Sequence, residues 1–211
     1  MIKPVLYYIY DPMCSWCWGY RPTWQALQEK LKSTIEVQYR VGGLAPDSNE
    51  AMSIEMQHFL QQTWHKIAAQ LGTEFNFDFW TQCQPIRSTY PACRAVLIAR
   101  EYNLEQDMYL AIQQAYYLQA KNPANIDTLV NIAAELGLDV VKFEKKILSE
   151  DIQLQLTDEV AFVRNMPIQG FPSLVLSING ELKSIAIDYQ HWQVSYEAVI
   201  AYLPTEQVNL S

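Results

Sequence analysis

Basic clusters are missing from this chain of 211 residues. It has 15 lysines and arginines against 23 aspartates and glutamates, which gives a formal net charge of −8, and no segment is rich in lysine or arginine. An acidic chain without a basic patch does not attract phosphate backbones or anionic lipid surfaces. The sequence therefore predicts neither nucleic-acid binding nor membrane attachment, and it favours proteins or small molecules as partners.

Long hydrophobic runs are missing as well, since a bilayer-spanning helix needs about 18 consecutive apolar residues and no segment approaches that length. Residues 1–4 lead directly into a short apolar segment and do not form the hydrophobic stretch and cleavage site of a signal peptide. We therefore expect a cytoplasmic protein. Hydrophobic residues make up 50% of the chain, which predicts a globular fold with a sizeable core.

Cysteine and histidine are scarce, with four and three copies in the whole chain. Four cysteines are too few to form a disulfide framework for a chain of this length, and a reducing compartment does not maintain structural bridges. A zinc site needs four ligands, whereas the chain has one CxxC motif and no paired histidines, so we expect no metal. Cys93 is expected in the core and Cys83 in a loop, without a second redox bridge. The pair Cys14 and Cys17 needs another explanation.

The first part of the chain has a β-α-β pattern. Residues 5–10 form an apolar, β-rich run that is typical of a strand buried on both faces. Apolar residues then recur at helical spacing over 14–32, and residues 35–41 alternate between apolar and polar, which predicts a second strand. The pair Gly42-Gly43 ends that strand.

The central part of the chain is predicted to be all-helical. Its predicted helices cover residues 48–70, 90–102, 104–120, 125–136, 139–148 and 151–165.

A β-hairpin and a last helix complete the predicted fold. The strands cover 173–178 and 181–187, joined by a turn at Asn179-Gly180, and the helix covers 189–202. The two outer parts of the chain are too small for separate cores. We therefore predict an α/β fold in which residues 1–46 and 166–211 form one discontinuous domain and residues 47–165 form a helical insertion.

The CxxC motif is predicted to lie where the first strand meets the first helix. The free N–H groups and positive dipole at a helix N-terminus stabilise a thiolate, so Cys14 is the predicted nucleophile. Cys17 follows one helical turn later, where it can resolve a mixed disulfide by attacking Cys14. Two buried structural cysteines are the alternative, because free cysteine often behaves as a small buried hydrophobe.

These motifs and their order carry a resemblance to a known family. A strand, a CxxC that opens a helix, Pro22 within that helix and a second strand resemble the thioredoxin fold. The later segment Phe171-Pro172 before a β-hairpin resembles the cis-proline loop of that fold. The helical insertion between the two halves is similar to the DsbA-like branch, which includes DsbA and FrnE-type thiol oxidoreductases, 2-hydroxychromene-2-carboxylate isomerase and kappa-class glutathione transferase.

The resemblance implies that Pro172 follows a cis peptide bond and that its loop faces Cys14. Phe171 would then present its backbone to an extended polypeptide substrate. Three apolar side chains, Met13, Trp16 and Trp18, could surround the thiol and contact the substrate.

Two departures from the family pattern leave parts of the mechanism open. Thioredoxin and DsbA carry a buried acid six residues before the first cysteine, where this chain has Tyr8. The proton acceptor for Cys17 is therefore not identified. The dipeptide between the cysteines, Ser15-Trp16, differs from those of thioredoxin and DsbA and tunes the redox potential, so the direction of electron flow stays open.

The resemblance implies a thiol-disulfide oxidoreductase of the DsbA family, which reacts with protein or small-molecule thiols and disulfides. It needs no metal or organic cofactor, and glutathione is a candidate redox partner; a homodimer is an open alternative to a monomer. One rival function is a glutathione-dependent isomerase or transferase, although such relatives typically have serine where Cys14 stands. Another is a non-catalytic adaptor that uses the same groove to hold a partner.

Overall fold

A four-stranded mixed sheet forms the centre of the computed structural model, which describes residues 4–203. The predicted outer limits of the discontinuous domain, residues 1 and 211, lie outside that range. Within it the strand order is β2-β1-β3-β4; β2 is parallel to β1, whereas β3 is antiparallel to both β1 and β4. The strands are β1 (Val5–Tyr10), β2 (Glu36–Val41), β3 (Ser173–Ile178) and β4 (Glu181–Ile185).

Helices separate and follow these strands, mostly where the sequence predicts them. They are α1 (Ser15–Leu31), α2 (Ile54–Leu71), α3 (Phe79–Gln82), α4 (Tyr90–Arg100), α5 (Glu105–Tyr117), α6 (Ile126–Glu135), α7 (Val140–Ile147), α8 (Glu150–Arg164) and α9 (Trp192–Ile200). Between residues 4 and 203, no helix is both long enough and apolar enough to cross a bilayer. The order β-α-β, helices, β-β-α confirms the predicted thioredoxin fold with a large helical insertion.

Two details of the helical part differ from the sequence prediction. The helix predicted at 48–70 begins only at Ile54, because the Ser53 side chain accepts a hydrogen bond from the amide of Met56 and caps the helix there. The preceding segment is not helical, and Ala51 forms an isolated bridge with Ile86. The short helix α3 was not predicted, since four residues cannot show a helical period.

Strand β1 is covered on both faces, as its unbroken apolar run predicts. On one face the ring of Tyr8 stacks on Trp24 of α1 at a centroid distance of 4.3 Å. On the other face Ile9 packs in a cluster with Val163 of α8 and Val175 of β3. Because both faces are fixed, the C-terminal end of β1 is a rigid base for the loop that carries the CxxC motif.

Charged side chains of the helical part cover the edge of β2. Glu159 of α8 accepts a hydrogen bond from the amide of Val41 at 2.9 Å, and Arg100 of α4 donates to the carbonyl of Tyr39 at 3.2 Å. Arg100 also pairs with Glu159 and with Glu105 of α5, at 2.6–2.9 Å. These contacts satisfy backbone groups of an edge strand and attach three helices to the sheet.

Candidate active site

The two cysteines of the CxxC motif differ in burial. Cys14 is the N-cap residue of α1, and its carbonyl accepts the first helical hydrogen bond from the amide of Trp18 at 3.1 Å. Cys14 is 8% exposed, whereas Cys17 is fully buried. Burial, and then the hydrogen bond to Cys14, raise the pKa of the Cys17 thiol well above its ordinary value. Cys14 is therefore the sulfur that a substrate can reach, and both thiols are free.

A loop from the far end of the chain lies directly against Cys14. The peptide bond between Phe171 and Pro172 is cis. The Sγ atom of Cys14 lies 3.4 Å from the Phe171 carbonyl oxygen, across 157 residues of sequence. The structure thus brings Cys14, Phe171 and Pro172 together, and the backbone of this loop borders the Cys14 sulfur.

Gly42, at the end of β2, makes room for the Phe171 ring. A Cβ atom at Gly42 would lie only 2.0 Å from Cε1 of Phe171. The next residue, Gly43, has a φ of +64°, and a Cβ there would lie 2.7 Å from Val160. The Gly-Gly pair therefore does more than end a strand, because Gly42 leaves room for the Phe171 ring and Gly43 leaves room for Val160 of α8.

Among residues 4–203, Asp11 is the one acidic residue that is fully buried. Its oxygens accept hydrogen bonds from the amides of Met13 at 2.8 Å and Leu44 at 2.7 Å, and from the Thr89 hydroxyl at 2.7 Å. The Cys93 thiol contacts the same carboxylate at 3.6 Å. Asp11 therefore joins the CxxC loop, the turn after β2 and the start of α4.

The charge on Asp11 also affects the pKa of the Cys17 thiol. Burial raises the pKa of Asp11, and the hydrogen bonds from Leu44, Thr89 and Met13 oppose that change. The charge on Asp11 contributes, less than burial does, to the raised pKa of Cys17. Sequence reasoning missed this role because Asp11-Pro12 indicated only a strand end. The sequence carries one signal for it: Asp11 is the first acidic residue of the chain and stands alone, because the next is Glu29.

Tyr8 occupies the position where thioredoxin and DsbA have their buried acid, and it is built into an aromatic cluster. Its ring is fully buried against Trp24, and its hydroxyl lies 3.4 Å from that of Tyr109. Burial raises the pKa of Tyr8 well above 10.0. Tyr8 is therefore a neutral packing residue at neutral pH.

The three apolar residues predicted to surround Cys14 have different environments. The Met13 carbonyl accepts a hydrogen bond from Tyr117 at 2.7 Å, which fixes the residue before the thiol. Trp16 is half-buried beside Tyr189, at a ring distance of 4.9 Å. The indole N–H of Trp18 instead donates to the Glu74 carbonyl at 3.0 Å. Trp18 thus has the contacts of a packing residue, and substrate contact by all three stays a prediction.

The remaining cysteines lie apart from the CxxC motif in sequence and have separate partners. Cys93 is fully buried in α4, as expected of a core residue, and points at Asp11. Cys83 follows α3 and approaches the Ala120 carbonyl at 2.9 Å. Within residues 4–203, no three His, Cys, Asp or Glu side chains cluster as ligands of a metal would.

Comparison with known proteins identifies the family. The model of the DSBA-like thioredoxin domain matches residues 6–197. The chain belongs to the DsbA-like thioredoxin-domain family. The match includes the CxxC motif, the whole helical part and the cis-proline loop.

The curated relatives of this DsbA-like chain are distant in sequence. The ClpXP adapter protein SpxH of Bacillus subtilis is 27% identical over 177 residues, which are 82% of this chain and 58% of SpxH. The chain therefore spans less than two thirds of that relative.

Solved structures match the whole fold. A candidate protein disulfide isomerase from Nitrosomonas europaea is 27% identical with a TM-score of 0.82, and the match covers 95% of this chain and 97% of that one. The cytosolic disulfide reductase DsbM from Pseudomonas aeruginosa, also solved with GSH, is 24% identical with a TM-score of 0.74. That match covers 98% of this chain and 100% of DsbM.

Gly42→Ala tests whether the Phe171 loop depends on the missing Cβ. We expect the new methyl group to displace Phe171, to lower the free energy of unfolding by about 1–3 kcal/mol and to slow the reaction of Cys14 with a chromogenic disulfide. Gly170→Ala is the matched control, because a Cβ at Gly170 meets nothing within 4 Å. Equal effects of the two substitutions on unfolding and thiol reactivity would contradict this account of Gly42.

Asp11→Asn tests the buried carboxylate. The variant keeps the shape but loses the charge and one acceptor oxygen, so we expect the free energy of unfolding to fall by about 1–3 kcal/mol. Because the Asp11 charge raises the pKa of Cys17, its loss should move the titration of that thiol to lower pH, measured by thiolate absorbance. Asp158→Asn is the control, because it makes the same substitution at an exposed position of α8. An unchanged thiol titration would show that Asp11 acts on structure alone.

Proposed function

We propose that this chain is a thiol-disulfide oxidoreductase that uses Cys14 and Cys17 as its redox pair. One observation carries the proposal: the Cys14 sulfur, at a helix N-terminus, lies 3.4 Å from the Phe171 carbonyl, and the fully buried Cys17 follows one helical turn later. A helix N-terminus stabilises the thiolate that attacks, and the backbone of the facing loop can align an extended or small disulfide.

The reducing direction of the reaction has two exchange steps. The Cys14 thiolate attacks one sulfur of a substrate disulfide, the S–S bond breaks, and one substrate half leaves as a thiolate while the other stays bonded to Cys14. A proton passes from Cys17 to the departing thiolate. Cys17 then attacks the Cys14 sulfur, which forms the Cys14–Cys17 disulfide and releases the second half as a thiolate. The protein loses two electrons, and the substrate gains them.

Turnover requires a second exchange that returns the two electrons. Two molecules of a thiol such as glutathione can reduce the Cys14–Cys17 disulfide through a mixed disulfide, and they leave joined as one disulfide. The same steps in reverse oxidise a dithiol substrate. Sulfur chemistry alone balances the cycle, so the proposal requires no metal and no organic cofactor. The DsbM structure with GSH supports glutathione as the thiol to try first.

A non-catalytic adapter is the second candidate, and the similarity to SpxH favours it. In that case the Phe171 loop and the surrounding groove would hold a partner protein, and the thiols would not turn over. The isomerase alternative has less support, because its relatives typically have serine where this chain has Cys14, and because this chain keeps a second thiol beneath it.

The redox equilibrium of the pair separates these candidates. We expect equilibration in glutathione redox buffers, followed by mass and tryptophan fluorescence, to give one two-electron transition that is lost in Cys14→Ser and in Cys17→Ser. Its potential would fall near that of thioredoxin, about −270 mV, that of DsbA, about −120 mV, or between them. The matched control is Cys83→Ser, which should keep the transition. If no disulfide forms at any ratio, the oxidoreductase proposal is wrong and the adapter moves to first place.

A further inference from the structure

A fully buried negative charge is bonded to the CxxC loop through Asp11. Among the ion pairs within residues 4–203, none includes Asp11. Its hydrogen bonds come from neutral donors, namely two amides, the Thr89 hydroxyl and the Cys93 thiol. Such donors compensate a carboxylate for the loss of water, but they leave its negative charge in place. The charge therefore acts on its neighbours through a protein interior that screens it weakly.

Hydrogen bonds hold this charge beside the first turn of α1. One carboxylate oxygen of Asp11 accepts from the amide of Met13 at 2.8 Å, and the Asp11 carbonyl accepts from the amide of Cys14 at 3.1 Å. Cys17 lies in the first turn of α1 and is itself fully buried. A carboxylate and a thiol that are both withheld from water are thus confined to one loop and one helical turn, where like charges repel each other.

The tyrosines around Cys17 are neutral at neutral pH. Burial raises the pKa of each phenol above 10.0, and a charge on Cys17 raises it further, in four tyrosines: Tyr8 of β1, Tyr109 and Tyr117 of α5, and Tyr189 after β4. Two other groups face Asp11, and burial raises the pKa of both: Cys93 of α4 and Tyr116 of α5. These groups therefore neither oppose nor share the charge of Asp11.

The cations on the elements around the motif are screened by water. They are Arg21 of α1, Lys66 of α2 and Arg87 before α4, and each is at least partly exposed. Arg21 lies 6.0 Å from the ring centroid of Tyr109, and its Nη1 atom lies 3.5 Å from the Gln113 side-chain oxygen. Asp11 is fully buried, so its charge is screened less than theirs.

The formation of a mixed disulfide increases the relative effect of Asp11 on Cys17. In the reduced chain, burial and then two effects of Cys14, a hydrogen bond and a charge, raise the pKa of Cys17; the Asp11 amide opposes them and the Asp11 charge adds to them. Once Cys14 is bonded to a substrate, its sulfur has neither a proton nor a charge. Burial and the Asp11 charge then remain to oppose ionisation of Cys17, at the moment when this thiol must ionise and attack.

We propose that the Asp11 carboxylate delays the resolving step and so prolongs the mixed disulfide on Cys14. The inference rests on the proposed oxidoreductase function and adds its regulation, with Asp11 as a positioning residue that acts through Cys17. In this step the Cys17 thiolate attacks the Cys14 sulfur, the bond between Cys14 and the substrate breaks, and the substrate leaves as a thiolate that takes up the proton given up by Cys17. The delay gives a second thiol of the substrate time to attack its own sulfur, which forms a substrate disulfide and releases the Cys14 thiolate.

Stopped-flow absorbance with 2,2′-dithiodipyridine separates the two steps in the reduced full chain. Attack by Cys14 releases one absorbing thione, and resolution by Cys17 releases a second. A higher reagent concentration should speed the first phase alone, so that the adduct on Cys14 accumulates and is detected by mass after an acid quench. This measurement needs no variant. If no adduct accumulates at any reagent concentration, the resolving step is not delayed and the inference is wrong.

Asp11→Asn removes the charge, and Asp158→Asn at an exposed position of α8 is the matched control. In Asp11→Asn we expect the pH midpoint of the second phase to fall. A tenfold larger thiolate fraction should speed the second phase at neutral pH about threefold, because a less basic thiolate is a weaker nucleophile. Asp11→Ser is a second uncharged variant that should move the midpoint in the same direction, and unfolding curves establish that each variant is folded. Asp158→Asn should keep both the midpoint and the rate.

The direction of the change distinguishes a charge effect from its alternatives. A slower second phase in the uncharged variants would mean that the carboxylate helps Cys17 to lose its proton, which overturns the inference while the oxidoreductase function stands. A faster second phase with an unchanged pH midpoint would mean that the loop has only loosened, which overturns it as well. If the wild-type chain releases no thione, the proposed function itself fails.

Discussion

The buried carboxylate of Asp11 is the constraint on which the site depends. A charge away from water is tolerated only when hydrogen bonds compensate it, and here the donors come from three separate parts of the chain. The amide of Met13 belongs to the CxxC loop, the amide of Leu44 to the turn that follows Gly42, and the hydroxyl of Thr89 to the start of α4. One side chain therefore sets the relative positions of the CxxC loop, the turn after β2 against which Phe171 packs, and the helical part.

The sheet and the helical part supply the rigidity that this arrangement needs. Strand β1 is covered on both faces, and the edge of β2 is bonded to Arg100 and Glu159 of the helices. The C-terminal ends of these two parallel strands lie side by side, so the CxxC loop and the Gly42 turn emerge next to each other. The Phe171 loop then closes over both, which is how residues distant in sequence meet at one sulfur.

Local sequence patterns predict most of the fold and the place of the CxxC motif at the start of α1. Strand β3 and the CxxC helix lie within a residue of their predicted bounds, because apolar periodicity and turn residues are local signals. The roles of Asp11 and Gly42 could not be predicted that way. Each depends on atoms brought close only by folding: the Leu44 and Thr89 donors for Asp11, and the Phe171 ring for Gly42. The family resemblance predicted the cis bond before Pro172. It did not predict which group replaces the buried acid at the position of Tyr8.

Trapping the mixed disulfide shows whether Cys14 attacks and Cys17 resolves. The Cys17→Ser variant is mixed with oxidised glutathione, and the products are mapped by mass spectrometry after proteolysis. We expect one stable glutathione adduct, on Cys14, with Cys93 protected by full burial and Cys83 reacting much more slowly. An unmodified Cys14, or an adduct that forms first on Cys83, would contradict it.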